Sequence, residues 1–461
     1  MLAQNHRGHQ SHGFTTYDGG LEYHLEIGLI PPIFETGIKS RIRALKGSKG
    51  IANVRYTTSG SSDSGGLHRD AMPIVVSEGK KSLAISLNGN VVNVRQLQKI
   101  VEVNKMSSDA HALSRLILQE LREEGSVEEA ARNCMEAVDG SFSITCLDSE
   151  GRLFAFRDSH GIKPLCYGRT GAIQAFSSES VGLDINNITL EREVRPGEVM
   201  QIEELGVKQE RVAPCGRKAF CAFEFAYFAR PDSRFNGTYV YLARQEYGVN
   251  LAEASPGLTS SCDAVLSLPE TANDAAYGFH KVSGLPWEMA TRRHRYVTQR
   301  AFITGGHERG NVIEKKMNIL GSRVNGKKLA VVDDSIVRGD TTRSVISRLK
   351  AAGAKEIHMF ITFPRITGPC FYGIDMATYS ELIGARQGPE EIAEEIGADS
   401  VNYQPIRNYI KATGMSREEL CLGCVNGEYP TPLANKMARE MRERLENGEP
   451  ERGRIYEYIE I

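Results

Sequence analysis

Residues 327–343 read KKLAVVDDSIVRGDTTR. Leu329 to Val332 form a short apolar run, β-branched at its end and bounded by charge, which predicts a buried strand of a parallel sheet. Asp333 and Asp334 close that strand. Arg338, Gly339 and Asp340 then predict a turn, with Thr341 or Thr342 as the N-cap of a helix over SVISRLKAAGA and Gly353 as its stop. A loop entering a helix N-terminus turns backbone N–H groups and the positive end of the helix dipole toward a phosphate, and Gly339 allows close approach. The two carboxylates can accept hydrogen bonds from sugar hydroxyls or help hold Mg²⁺. The unit therefore suits a phosphorylated sugar. A solvated Asp-Asp turn is the plainer alternative, and the Gly-x4-Gly-Lys-Ser/Thr nucleotide loop is absent.

VVDDSIVRGDTT resembles the phosphoribosyl pyrophosphate motif of type I phosphoribosyltransferases, and DDSIVRG is similar to its form in the amidophosphoribosyltransferase family. By that resemblance Asp333, Asp334, Arg338, Gly339, Asp340, Thr341 and Thr342 contact phosphoribosyl pyrophosphate. Asp340 stands where the family usually carries Thr. Its carboxylate would repel a phosphate, so its side chain is expected to turn outward and leave only its N–H facing the ligand.

The chain's 461 residues allow two or three domains, and 41% hydrophobic with 25% charged residues and a net charge of −2 describe an ordinary soluble protein. The balance is not basic enough to suggest nucleic acid. No apolar run approaches the roughly 20 residues needed to span a membrane, and the polar start carries no secretory signal, so a cytoplasmic location is expected. Nine cysteines do not suggest a secreted disulfide scaffold. Cys421 and Cys424 form a Cys-x2-Cys pair that by spacing alone suits zinc, an iron–sulfur cluster, redox chemistry or nothing.

Up to about residue 220 short alternating segments predict an antiparallel sheet with helices against it. AISLNGNVVN (84–93) predicts a strand that turns at Asn88-Gly89, and FSITCLDSEGRLFAFRD (142–158) a hairpin turning at Glu150-Gly151. Helices are predicted over 107–124 and over VEEAARNCMEAV. His6-Arg7-Gly8, Arg55-Tyr56-Thr57-Thr58-Ser59-Gly60, Asn88-Gly89-Asn90, Arg157-Asp158, Ser178-Glu179-Ser180 and Arg195-Pro196-Gly197-Glu198 follow in the order of the same family's glutaminase domain. The resemblance implies Arg55 for the α-carboxylate of glutamine, Asp109 for its amine, and Asn88 with the Gly89 N–H as oxyanion hole. Apart from the family, Arg55 reads as a surface ion pair, Asp109 as a helix cap and Asn88-Gly89 as a hairpin turn.

That domain resembles the N-terminal-nucleophile hydrolases, whose processed chains begin with the attacking Cys. Here the chain begins Met1-Leu2 and the earliest cysteine is Cys134, so no residue can be named as nucleophile. By analogy roughly 25 residues precede His6-Arg7-Gly8 in the family. A start placed at an internal Met is expected. Real loss of glutaminase activity is the alternative, toward which His111 and Leu87 depart from the family pattern.

After residue 220, CAFEFAYFARPDSRFNGTYVYLARQEYGVNLAE (221–253) resembles the family's domain junction. Strands alternating with helices then predict a parallel sheet with helices on both faces and ligands at its C-terminal edge. Pro269-Glu270-Thr271 resembles the pyrophosphate loop, and the resemblance implies Mg²⁺ at Thr271, Asp333 and Asp334. RRHRYVTQRAF (292–302) reads as a solvated cationic run but also resembles the family's closing loop, with Arg295 and Arg300 toward phosphoribosyl pyrophosphate; Arg309, Lys316 and Asn318 follow in family-like positions. Cys221, Cys370, Cys421 and Cys424 occupy the places of the family's [4Fe–4S] ligands, with zinc as the alternative.

The expected fold is α+β followed by α/β: a four-layer αββα N-terminal-nucleophile hydrolase-like domain over 1–222, a Rossmann-like type I phosphoribosyltransferase domain over 223–431, and a charged helical tail over 432–461. The expected activity makes 5-phosphoribosylamine, glutamate and pyrophosphate from phosphoribosyl pyrophosphate, glutamine and water. An ammonia-dependent phosphoribosyltransferase and a catalytically silent nucleotide-binding protein are the alternatives. The resemblance also implies a homo-oligomer, dimer or tetramer, with purine nucleotides as feedback inhibitors.

Overall fold

The computed structural model describes residues 1–30, 44–56, 64–103, 108–204, 206–293, 317–451 and 453–457. The first part is built on a six-stranded antiparallel sheet in the order 206–211, 198–203, 153–157, 140–148, 81–91, 74–78. Helices Asp109–Glu123 and Val127–Ala137 cover one face, with Leu113, Leu116, Ile117 and Ala131 packed against Ile85, Val91, Phe142 and Ile144. Two three-stranded sheets cover the other. One, centred on Ser11–Tyr17, packs through Ile51 onto Ala84, Leu147 and Leu153; the other, centred on Cys166–Thr170, packs through Leu165 and Tyr167 onto Ala155 and Met200.

The hairpin expected to turn at Asn88-Gly89 is absent. Lys81–Val91 is one strand that runs straight through these residues and pairs with 140–148 along its length, Gly89 opposite Phe142. Asn-Gly favours a turn only where the chain is free to reverse. Here pairing with strand 140–148 on one side holds the chain extended through Asn88 and Gly89. A Cβ at Gly89 would lie 2.0 Å from the Ser141 carbonyl oxygen, so glycine is required by close approach. The Glu150-Gly151 hairpin forms as expected between strands 140–148 and 153–157.

The second part is a four-stranded parallel sheet in the order 264–267, 328–333, 356–361, 400–403. Alternation divides its two faces. Val265, Ala330, Val332 and Phe360 meet Leu251, Ala275, Ala276 and Phe279 of helices Val240–Ala254 and Asn273–Ser283. Leu266, Val331, Met359 and Ile361 meet Val345, Ile346, Leu349 and Ile392 of helices Asp340–Ala351 and Pro389–Ile396. The helix after the acidic pair starts at Asp340, capped by Gly339 rather than by a threonine. Gly339 has φ of +86°, which turns the chain directly into the helix and leaves Thr342 buried inside it. The tail helix Pro432–Glu446 is capped by the Thr431 side chain and buries Ala434, Met437, Ala438 and Met441. No helix among the described residues is long and apolar enough to cross a membrane.

Candidate functional site

The parallel strand 328–333 ends at Asp333, and Asp334 opens the loop at its C-terminal edge. The loop after strand 264–267 brings Thr271 over this edge, where its hydroxyl donates to Asp334 Oδ2. Ser335 Oγ donates to Asp334 Oδ1 at 2.6 Å, and the Asp334 N–H donates to Asp333 Oδ1 at 2.9 Å. Backbone N–H groups of Thr362 and Phe363 hold the carbonyls of Asp333 and Asp334 at 2.9 and 2.8 Å, so the neighbouring strand locks the pair. Burial pushes both carboxyls above the usual range. For Asp333 the adjacent Asp334 charge adds to the rise; for Asp334 the hydroxyls of Ser335 and Thr271 and the charge of Arg244 oppose it. A cation placed there would relieve the repulsion, and the oxygen-only donor set of Thr271, Asp333 and Asp334 has the chemistry Mg²⁺ prefers.

Beyond the pair, Arg338 does not reach toward the helix N-terminus. Its guanidinium is tied to Glu381 and lies 3.4 Å from the Asp375 carbonyl. Asp340 is 68% exposed, and its carboxylate lies 3.5 Å from Arg343. Thr341 is exposed and Thr342 is buried. Arg295, Arg300, Arg309 and Lys316 lie outside the described residues, while Asn318 sits in a short strand opposite Arg292.

A second site lies in the first part of the chain. Arg55, Asn88, Gly89 and Asp109, read from separate motifs, line one cavity of about 120 Å³ together with Arg7 and Lys163. Arg55 is 4% exposed, 3.9 Å from buried Asp70, so it is no surface ion pair. Burial lowers its pKa against the charges of Asp70 and Asp109. Asp109 begins its helix and accepts the N–H groups of Ala110 at 2.8 Å and Val91 at 3.1 Å. The Asn88 amide nitrogen is buried with no hydrogen-bond partner among the described residues. A buried orphan donor on a cavity wall is costly unless a ligand oxygen completes it. That is the property an oxyanion hole needs.

The motif order did not disclose what ties the wall of the glutamine cavity to the segment 224–233. Arg7 donates to Glu179 Oε1 at 2.7 Å and to both Glu224 oxygens at 2.8 Å; His6 Nε2 lies 2.7 Å from Glu179, and Lys163 donates to Glu224 at 3.4 Å. Glu179 also accepts the Ser233 hydroxyl and the Arg230 N–H. Burial would raise the Glu179 carboxyl, but Arg7 and His6 bring it down to about 2. His6-Arg7-Gly8 and Ser178-Glu179-Ser180 were visible as motifs, but their partner Glu224 lies more than 200 residues from Arg7.

The four cysteines come together from distant segments. Cys221 faces Cys421 in a short parallel pairing of Phe220–Cys221 with Leu420–Cys421, and the Tyr372 N–H points to Cys370 Sγ at 3.4 Å. Burial raises the thiols, Cys221 up to about 11, and the charge of Lys163 works against that rise at Cys221, Cys370 and Cys421. Cys424 feels the charges of the other three. Among the described residues, no group of three or more His, Cys, Asp or Glu side chains is arranged to hold a metal ion.

A family model described as a glutamine amidotransferase domain matches residues 65–184. The amidophosphoribosyltransferase of Methanothermobacter thermautotrophicus is 34% identical over 443 residues, spanning 95% of this chain and 91% of the relative. That of Bacillus subtilis is 34% identical over 441 residues, spanning 93% and 89%. The solved glutamine phosphoribosylpyrophosphate amidotransferase from B. subtilis, complexed with ADP and GMP, superposes with a TM-score of 0.82 at 33% identity, covering 94% of this chain and 93% of that one. Likeness of this extent reaches both halves of the chain, the parallel sheet with its acidic edge and the antiparallel domain with its cavity: the chain belongs to the amidophosphoribosyltransferase family.

Proposed function

We propose that the chain converts phosphoribosyl pyrophosphate, glutamine and water to 5-phosphoribosylamine, glutamate and pyrophosphate, a step of purine biosynthesis. The observation that carries this reading is the paired carboxylate of Asp333 and Asp334, bound by Thr271, at the C-terminal edge of a parallel strand that leads into a glycine-capped helix.

The N–H groups at the start of helix 340–351 receive the 5-phosphate. Thr271, Asp333 and Asp334 would hold Mg²⁺, which would supply charge to offset the departing pyrophosphate. As the bond from the anomeric carbon to the pyrophosphate oxygen breaks, positive charge grows on the ribose ring and the carboxylates of Asp333 and Asp334 oppose it. Ammonia forms the new C–N bond from the other face and then loses a proton. In the glutamine cavity Arg55 holds the α-carboxylate, Asp109 the amine, and Asn88 with the Gly89 N–H the oxyanion formed when a nucleophile adds to the amide; collapse of that adduct breaks the C–N bond and frees ammonia, and water takes the acyl group to glutamate. None of the described residues lining the cavity is a cysteine, so the chain's own residues account for binding and oxyanion stabilisation and not for the attack. Arg295 and Arg300 complete the phosphoribosyl pyrophosphate contacts.

The domains run over 1–222 and 223–431, followed by the tail. Cys221, Cys370, Cys421 and Cys424 hold a [4Fe–4S] cluster; the all-thiol donor set supports this reading, while among the described residues the sulfurs do not form a closed ligand group as they stand. Purine nucleotides act as feedback inhibitors, supported by the ADP and GMP in the B. subtilis structure. The protein works in the cytoplasm as a homo-oligomer.

Pyrophosphate release measured first with ammonia and then with glutamine tests the activity. Release with both supports the full reaction. Release with ammonia alone confines the chain to the transferase half, and release with neither, under saturating phosphoribosyl pyrophosphate and magnesium, overturns it.

A further inference from the structure

A second cavity, about 400 Å³ in volume, shares no lining residue with the glutamine cavity. Its walls come from Arg157, from the segment 190–196, and from Lys218, Arg234, Asn236 and Gly237, so it spans the first part of the chain and the start of the second. Five cations and two carboxylates line it. Several of these charges are already matched: Arg192 is held by both oxygens of Glu198 at 2.7 and 2.9 Å, and Lys218 lies 3.2 Å from Glu419.

Three guanidinium groups remain. Arg157 is 1% exposed; its two terminal nitrogens donate to the carbonyls of Val194 and Gly161, its Nε is buried without a partner among the described residues, and the Glu193 carboxylate is 4.0 Å away. Glu193 is itself engaged by the Asn236 N–H. Arg234 lies over the Tyr239 ring, 5.7 Å from its centroid, and is in no ion pair among the described residues. Arg195 is exposed, and among the described residues no carboxylate pairs with its side chain. A charge buried this deeply without a hydrogen-bonded carboxylate is costly to the fold, and an anion in the adjoining cavity would offset the cost.

We propose that this cavity binds a small phosphate monoester. Arginines approaching from different segments suit the several oxygens of a phosphate. The volume is too large for a bare inorganic anion and matches a small metabolite. Leu190, Val194 and Pro196 supply an apolar wall for the remainder of that molecule. Arg157 and Arg195 come from the first part of the chain and Arg234 from the start of the second, so the ligand touches both.

Arginine modification by phenylglyoxal, followed residue by residue by peptide mass spectrometry on the full-length protein, reads this site apart from the others. Ribose 5-phosphate is expected to slow modification of Arg195 and Arg234 several-fold, at lower concentration than inorganic phosphate, while ribose has no effect. In Arg234→Ala the protection of Arg195 is lost. Unchanged modification with ribose 5-phosphate overturns the proposal. Equal protection by inorganic phosphate, by ribose, or by chloride at matched ionic strength overturns it as well.

Discussion

Arg7 and Glu224 form a two-pronged ion pair, both bonds 2.8 Å long, in which Glu224 is wholly buried and Arg7 nearly so. Residues from opposite ends of the first 224 thus close the seam between the glutamine cavity and the segment leading to the parallel sheet.

Removing Arg7 leaves buried Glu224 with Lys163 alone, 3.4 Å away. Arg7→Met is therefore expected to cost about 3 kcal/mol of stability, while the triple variant Arg7→Met, Lys163→Met, Glu224→Leu, which leaves no charge of this trio buried, costs less than the single change. Urea unfolding of both variants checks this; a triple variant weaker than the single one would count against the trio as the source of the loss.

Acid should unfold the protein through Glu179. Its folded pKa, about 2, lies below the unfolded value of about 4.3. Its contribution is complete above about pH 4.3 and is lost as pH falls toward 2. Urea midpoints measured from pH 6 to 3 are expected to fall less steeply in Glu179→Gln, which already lacks the ionisation.

At the transferase site, Asp333→Asn with Asp334→Asn is expected to abolish ammonia-dependent pyrophosphate release. Both carboxyls are held above their usual pKa by burial, reinforced at Asp333 by Asp334. A bound cation favours the ionised form of both carboxyls, so magnesium affinity is expected to rise with pH across the range in which the pair titrates; calorimetry in two buffers of different ionisation enthalpy measures any proton release. Unchanged turnover in the double variant would move the site elsewhere.

Glutamine affinity should depend on Arg55. Losing a charged hydrogen bond costs about 1.5–3 kcal/mol, roughly 10- to 100-fold in Kd. Arg55→Ala is expected to weaken glutamine binding by that amount and to leave ammonia-dependent turnover intact, as read by titration calorimetry beside the pyrophosphate assay.

Asp340→Thr removes a carboxylate from the rim of the phosphate loop. A charge pair at 4 Å in water is worth about 1 kcal/mol, so KM for phosphoribosyl pyrophosphate is expected to fall several-fold, with the gap closing at high salt. An unchanged KM at low salt would mean that Arg343 already cancels the charge of Asp340.

Local pattern alone was enough for the strand, acidic pair, glycine and helix at 327–353, because each signal acts over a few residues and all agree. Motif order was enough for Arg55, Asn88, Gly89 and Asp109, which the fold brings to one cavity. Asn88-Gly89 reads as a turn in sequence because the strand that holds it straight, 140–148, lies some fifty residues away. The Arg7–Glu224 seam and the cluster of arginines at the second cavity belong to the tertiary structure alone, as does the parallel pairing that sets Cys221 beside Cys421, although resemblance had already grouped Cys221, Cys370, Cys421 and Cys424. They depend on which distant charges and thiols burial forces together, and short-range preference carries no record of that.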